Sequence, residues 1–220
     1  MRAVTAVKDL ATFRRFLALV ASRHGQVLNK TSLAAPLGIS VPTITQWLGV
    51  LETTAQILIV PPFYENLGKR LTKSPKIYVA DSGVACHLLG IESIAELARS
   101  TFHGALFEGF VASEIVKAQV NAGKRRELYH FRDEQGLEVD FLVPGRGGAL
   151  TLVECKARRT VASSDATPMR RLADALRSER PRAANVEMHV VHEALSGGVA
   201  TSAIAPGVRA ESWQAFVRQL

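Results

Sequence analysis

A two-part chain of mixed α and β structure is what the sequence predicts: a mainly helical amino-terminal part with one hairpin, then an α/β part with a small mixed sheet. Three observations predict it. Apolar residues recur at helical spacing through the first ~98 residues, and from about Phe102 the order reads helix, strands, helix, strand, helix. A Gly-containing turn between two helices precedes the hairpin. The 220 residues, 47% of them apolar, suffice for two cores at roughly 100–150 residues per domain. The expected domains are residues 1–98 and 99–220.

In the first part, Leu10, Phe13, Phe16, Leu17 and Val20 predict an amphipathic helix ending near Gly25. Thr31 or Ser32 is placed to cap a second helix, SLAAPL. Gly38 then supplies a tight turn and Ser40 caps a third helix, VPTITQWLGVLE, with Pro42 in its first turn, where a missing N–H costs nothing. Ile57–Val60 reads as a strand, ENLGKRLTKSP as a polar loop and Lys76–Val79 as the returning strand. Helix-turn-helix followed by such a hairpin is a winged helix. For DNA, Thr43, Thr45 and Gln46 suit base edges, and Lys69, Arg70, Lys73 and Lys76, opposed only by Glu65, suit phosphates. Protein docking, with the lysines as a solvated face, is the other use of such a module. Leu88–Ser100 predicts a short helix or two joining the parts.

Composition narrows the partners. Twenty-seven Lys and Arg against 20 Asp and Glu give a net charge of +7 and a pI near 9.8, which points to a polyanion, nucleic acid before others. The longest apolar stretches, such as ILIVPPF, fall far short of the ~20 residues that cross a membrane. The first residues lack the uninterrupted apolar core of a secretory signal. Cys86 and Cys155 are far apart and form no Cys-x-x-Cys pair, so a reduced, cytoplasmic, prokaryotic setting without structural zinc is expected.

The sharpest chemistry lies in GLEVDFLVPGRGGALTLVECKA, two strands joined by a Pro/Gly-rich turn. Alternation puts Glu138, Asp140 and Leu142 on one face of the first strand and Val139, Phe141 and Val143 on the other; in the second, Leu152, Glu154 and Lys156 share a face. Folding about Arg146–Gly147 brings Asp140 opposite or nearly opposite Glu154. Opposed carboxylates repel across strands unless neutralised. Mg²⁺ or Mn²⁺ would neutralise them, since such ions take one or two carboxylates plus waters and a substrate phosphate. Lys156 is placed to orient or activate a bound water and to offset charge. A surface salt bridge between Lys156 and either acid is the simpler alternative. On the preceding helix, GALFEGFVASEIVKAQV, Glu108 falls at the edge of the buried stripe and Glu114 nearer its middle. Both are candidates for a third carboxylate, because a half-buried acid needs a partner.

Glu108, then Asp140 at a strand end, then Glu154-x-Lys156 on the next strand resembles the PD-(D/E)XK nuclease superfamily, with Val139 where its loosely kept proline would stand. ISVPTITQWLGVLE, KSPKIYVADSG, GALFEGFVASE, FRDEQGLEVDFLV and VECKA together resemble the carboxy-terminal region of a prokaryotic AAA+ ATPase family, over most of residues 8–220 and least after Arg159. There an ATPase module precedes a winged helix and a nuclease-like domain of unknown function. The resemblance implies a restriction-endonuclease-like second domain in which Asp140, Glu154 and Glu108 bind metal and Lys156 assists the nucleophile. No G-x-x-x-x-G-K-[ST] occurs in these residues, so no ATP site is expected, and the chain reads as a short form, a remnant or a fragment.

Arg158, Arg159, Arg170, Arg171, Arg177, Arg180 and Arg182, with Lys124–Arg126, could track phosphates or be a solvated face. His189 and His192 fall on opposite faces of a strand and read as structural. The expected function is a DNA-associated, divalent-metal-dependent phosphodiesterase. Its rival is a non-catalytic nucleic-acid-binding or regulatory fragment that docks a protein partner or a second copy of itself.

Overall fold

In the computed structural model, which describes residues 9–63, 73–179, 185–193 and 201–220, the Asp9 carboxylate accepts from the Ala11 and Thr12 amides and starts α1 (Leu10–Ser22). Phe16, Val20 and Ala21 form its buried face. After the short strand β1 (Gln26–Val27) comes α2 (Lys30–Ala34). Its cap is Asn29, which accepts from the Ser32 amide, and not Thr31 or Ser32. The helix starts earlier than expected because Asn caps as well as Ser and sits extended just before it.

A 3₁₀ turn at Ala35–Leu37 ends at Gly38, whose φ of 65° is left-handed and suits a residue without Cβ. Ser40 then caps α3 (Val41–Thr53). Strands β2 (Ile57–Val60) and β3 (Lys76–Val79) lie where the sequence places them and pair with β1 in the antiparallel order β1-β3-β2. Two short helices follow, α4 (Ser82–Leu88) and α5 (Ile94–Arg99), and then the long α6 (His103–Asn121).

The chain divides into two units. One holds the described residues up to Val60 with Ser74–Phe110, the other those of Pro61–Lys73 and Val111–Leu220. In the first, Phe16, Ile44, Trp47, Leu51, Ile77 and Leu106 share one core, and Phe13 meets Trp47 edge-on with ring centroids 5.2 Å apart.

The second unit is built on a six-stranded sheet in the order β4-β5-β6-β7-β9-β8. Its members are β4 (Tyr129–Arg132), β5 (Glu138–Pro144), β6 (Leu150–Lys156), β7 (Val186–His192), β8 (Thr201–Ala205) and β9 (Val208–Ser212). The β6–β7 and β7–β9 pairs are parallel and the others antiparallel, so the sheet is mixed. Helix α7 (Thr167–Glu179) covers the parallel crossover between β6 and β7. Its Met169, Leu172, Ala173 and Leu176 share a core with Leu142, Leu152 and Val190. The last helix is α8 (Trp213–Val217). Among the described residues, no single helix is long and apolar enough to cross a membrane.

One expectation is corrected. Strict alternation puts Val139 and Leu142 on opposite faces of β5, yet both belong to the same core. The reason is a bulge: the pairing with β4 shifts between Tyr129↔Leu142 and Phe131↔Val139, leaving an extra β5 residue opposite His130. Asp140 lies within that irregular step.

The first unit buries a histidine. His24 Nδ1 accepts from the Val79 amide at 3.1 Å, and the ring stands edge-on to Tyr78. Gly109 on α6 comes so close that a Cβ there would lie 2.1 Å from His24 Nε2. Burial pushes His24 down to about 4, the Ala105 backbone working weakly the other way. Two outcomes follow. Gly109→Ala should lose about 1–3 kcal/mol in urea unfolding, since neither the ring nor the helix has room to give. A histidine with a depressed folded pKa stabilises fully above its unfolded value of 6.5 and loses that contribution as pH falls towards about 4. Unfolding free energy should therefore drop by about 2 kcal/mol between pH 7 and pH 5. His24→Gln, which keeps an acceptor for the Val79 amide, should flatten that slope.

Candidate active site

The antiparallel ladder between β5 and β6 pairs Phe141 with Val153 and Leu142 with Leu152. Asp140 and Glu154 come next on their strands beyond the Phe141–Val153 pair, and both line one cavity. Asp140 is aimed by the neighbouring backbone: its Oδ2 accepts from the Cys155 amide at 2.8 Å. Lys156, one side-chain step along β6, donates from Nζ to Glu154 Oε1 at 2.7 Å. Both Lys156 and Glu154 are more than half removed from water.

Burial alone would lower the Lys156 pKa. The charges of Glu154, Asp140 and Asp165 outweigh it and hold the ammonium above its ordinary value of 10.5. Asp165 is fixed in turn by Arg158, whose Nη2 lies 2.5 Å from each of its oxygens, and by the Ala162 amide. Despite partial burial, these donors hold its carboxyl below the usual range.

Asp140 and Glu154 line a cavity of about 460 Å³ together with Glu138, Thr167 and Arg171. Glu138 went unremarked as a site residue in the sequence, although it sits two residues before Asp140, the spacing that shares a strand face. Its carboxylate lies 3.5 Å from Arg132.

Glu108 has other engagements. Lys76 Nζ donates to its Oε1 at 2.9 Å, and Tyr78 Oη donates to the same oxygen at 2.5 Å. All three belong to the first unit. This corrects the reading of Lys76 as a phosphate contact: the residue is buried, and its ammonium neutralises Glu108 inside the fold. Glu114, the competing third carboxylate, is half-buried and pairs with Lys117 at 2.8 Å, one turn along α6. Of the expected DNA contacts, Thr45 and Gln46 are exposed on α3 and Lys73 is exposed after the loop. Thr43 is half-buried, with its hydroxyl 2.9 Å from that of Ser40. Lys69 and Arg70 lie outside the described residues.

Among the described residues, no three His, Cys, Asp or Glu side chains form a complete ligand set for a metal ion. A pair of hard carboxylates on a cavity wall still fits Mg²⁺ or Mn²⁺, which commonly keep several waters and take their remaining oxygens from substrate.

Residues 1–95 match the family model described as Domain of unknown function (DUF8612). Residues 103–198 match Domain of unknown function (DUF4143), a domain found in AAA-ATPase-associated proteins. The chain is 34% identical over 133 residues to "Uncharacterized protein Mb2031c" of Mycobacterium bovis and to "Uncharacterized protein Rv2008c" of Mycobacterium tuberculosis. These matches take in 60% of this chain but only 29% of each relative. A solved structure, "Refined half-complex from tetradecameric assembly of Thermococcus gammatolerans McrB AAA+ hexamers with bound McrC", is similar at 11% identity with a TM-score of 0.33, over 97% of this chain and 77% of that one.

The Lys76–Glu108 pair makes its own prediction. Lys76→Met strands a carboxylate in a largely buried place and should cost about 3–5 kcal/mol in denaturant unfolding. The double variant Lys76→Met with Glu108→Leu should recover most of that loss, since removing both charges removes the unpaired one.

Proposed function

We propose that the second unit is a divalent-metal-dependent phosphodiesterase acting on DNA, and that the first unit is a winged-helix module that presents the DNA. The observation that carries this reading is that Asp140 on β5 and Glu154 on the adjacent β6 line one cavity, with the Lys156 ammonium donating to Glu154. Mg²⁺ or Mn²⁺ held by Asp140 and Glu154 would supply a bound water of lowered pKa and offset charge developing on phosphorus. The protein's own groups do the rest. The Cys155 amide aims Asp140, and Lys156 aligns Glu154. Lys156, beside Glu154, is placed to orient or activate the attacking water and to offset negative charge. The Arg158–Asp165 pair steadies the turn that follows Lys156.

A second reading has its own support: a non-catalytic nucleic-acid-binding or partner-docking fragment of an AAA+ ATPase-type protein. It is favoured by the match of residues 103–198 to a domain of ATPase-associated proteins. It is favoured too by the lack, among the described residues, of a three-ligand metal set.

Cleavage assays on single-stranded, duplex and branched DNA with Mg²⁺ or Mn²⁺ separate the two. The catalytic reading expects metal-dependent cleavage that falls by about 100-fold or more in Asp140→Ala and in Lys156→Ala. Equal activity in wild type and both variants would mean a contaminant and end the catalytic reading. DNA binding without cleavage under any of these conditions would favour the second.

A further inference from the structure

We propose that Arg171 is the phosphate-seating residue of this cavity, holding a DNA phosphodiester opposite the Asp140–Glu154 pair. The proposal rests on the phosphodiesterase reading and adds to it a residue whose role neither motif nor family match assigns. Helix α7 turns Met169, Leu172, Ala173 and Leu176 into the core. Arg171, in its second turn, is exposed to solvent and lines the cavity that holds Glu138, Asp140 and Glu154.

Three other arginines of this unit are paired with acids: Arg158 with Asp165, Arg177 with Asp174 and Arg132 with Glu138. Arg171 shares a cavity with three carboxylates, yet among the described residues it comes within the 4.0 Å ion-pair distance of none. A cation and a group of anions facing each other across about 460 Å³ without contact define what fits between them. The occupant must turn negative charge towards α7 and positive charge towards the sheet. A phosphodiester carrying a divalent counter-ion does both. The planar guanidinium suits the first half, since it grips two phosphate oxygens at once where an ammonium offers only a point charge. The Thr167 hydroxyl, on the same wall one turn earlier, supplies a further donor.

The test uses the full chain and a labelled single-stranded oligonucleotide, with binding followed by fluorescence anisotropy both in Mn²⁺ and in EDTA. Arg171→Ala should weaken binding about tenfold, Arg171→Lys should restore part of the loss, and Arg146→Ala, which removes the same charge from the β5–β6 turn, should cost less than about twofold. In the cleavage assay, Arg171→Ala should act mainly by raising KM, while Mn²⁺ affinity, measured by electron paramagnetic resonance, stays at the wild-type value. Unchanged oligonucleotide affinity in Arg171→Ala, or equal losses in Arg171→Ala and Arg146→Ala, would overturn the proposal. Failure of the underlying metal reading looks different: wild type and Asp140→Ala would then bind Mn²⁺ equally poorly, and the role of Arg171 would be decided by the anisotropy in EDTA.

Discussion

Pairing between β5 and β6 is the constraint on which the second unit turns. A slip of one residue in this ladder would invert every side chain on the moving strand. In the register observed, Leu142 meets Leu152 under α7, and beyond the Phe141–Val153 pair Asp140 and Glu154 line one cavity. The core and the candidate site are thus two ends of one ladder. Burial of Leu142, Leu152, Val190 and Leu176 is what makes a slip costly. Two like charges on one cavity wall can be tolerated because apolar burial elsewhere on the strands holds the register, and because Lys156 and the Cys155 amide answer the charges locally.

The two units use carboxylates in opposite ways. Glu108 is closed off: an ammonium and a phenol converge on one of its oxygens, and both come from β3. That arrangement ties α6 to the sheet of the first unit, close to where His24 packs against Gly109. Asp140 accepts from the Cys155 amide and Glu154 from Lys156, and both line a cavity wall. A carboxylate neutralised inside the fold rigidifies it, whereas carboxylates that line a cavity are placed to meet a ligand.

The net charge of +7 acquires a structure from this. Lys76 is buried against Glu108, while Arg158 and Arg177 stay about half exposed and pair with acids nearby. Among the described residues, Arg171 on α7 lines the cavity with the carboxylates, and its position matters more than the total.

Much of this protein was determined by short-range signals. Ser40, Pro42 and Gly38 mark a helix and its turn within a few residues, period-two alternation marks β5 and β6, and the apolar stripe of α7 names its inward face. The antiparallel pairing of β5 with β6 also followed from the sequence, because a hairpin turn sets register locally. Other features needed partners far away in the chain. Lys76 reads as a surface cation until Glu108, 32 residues on, is brought against it. The bulge at Asp140 arises from the pairing of β5 with β4, and alternation within β5 cannot announce it. Arg171 is one arginine among nine after Lys156 until α7 lies on the sheet and places it on the cavity that the carboxylates line. Local backbone chemistry chose the elements; only tertiary packing decided which charges are spent inside the fold and which are left to meet a ligand.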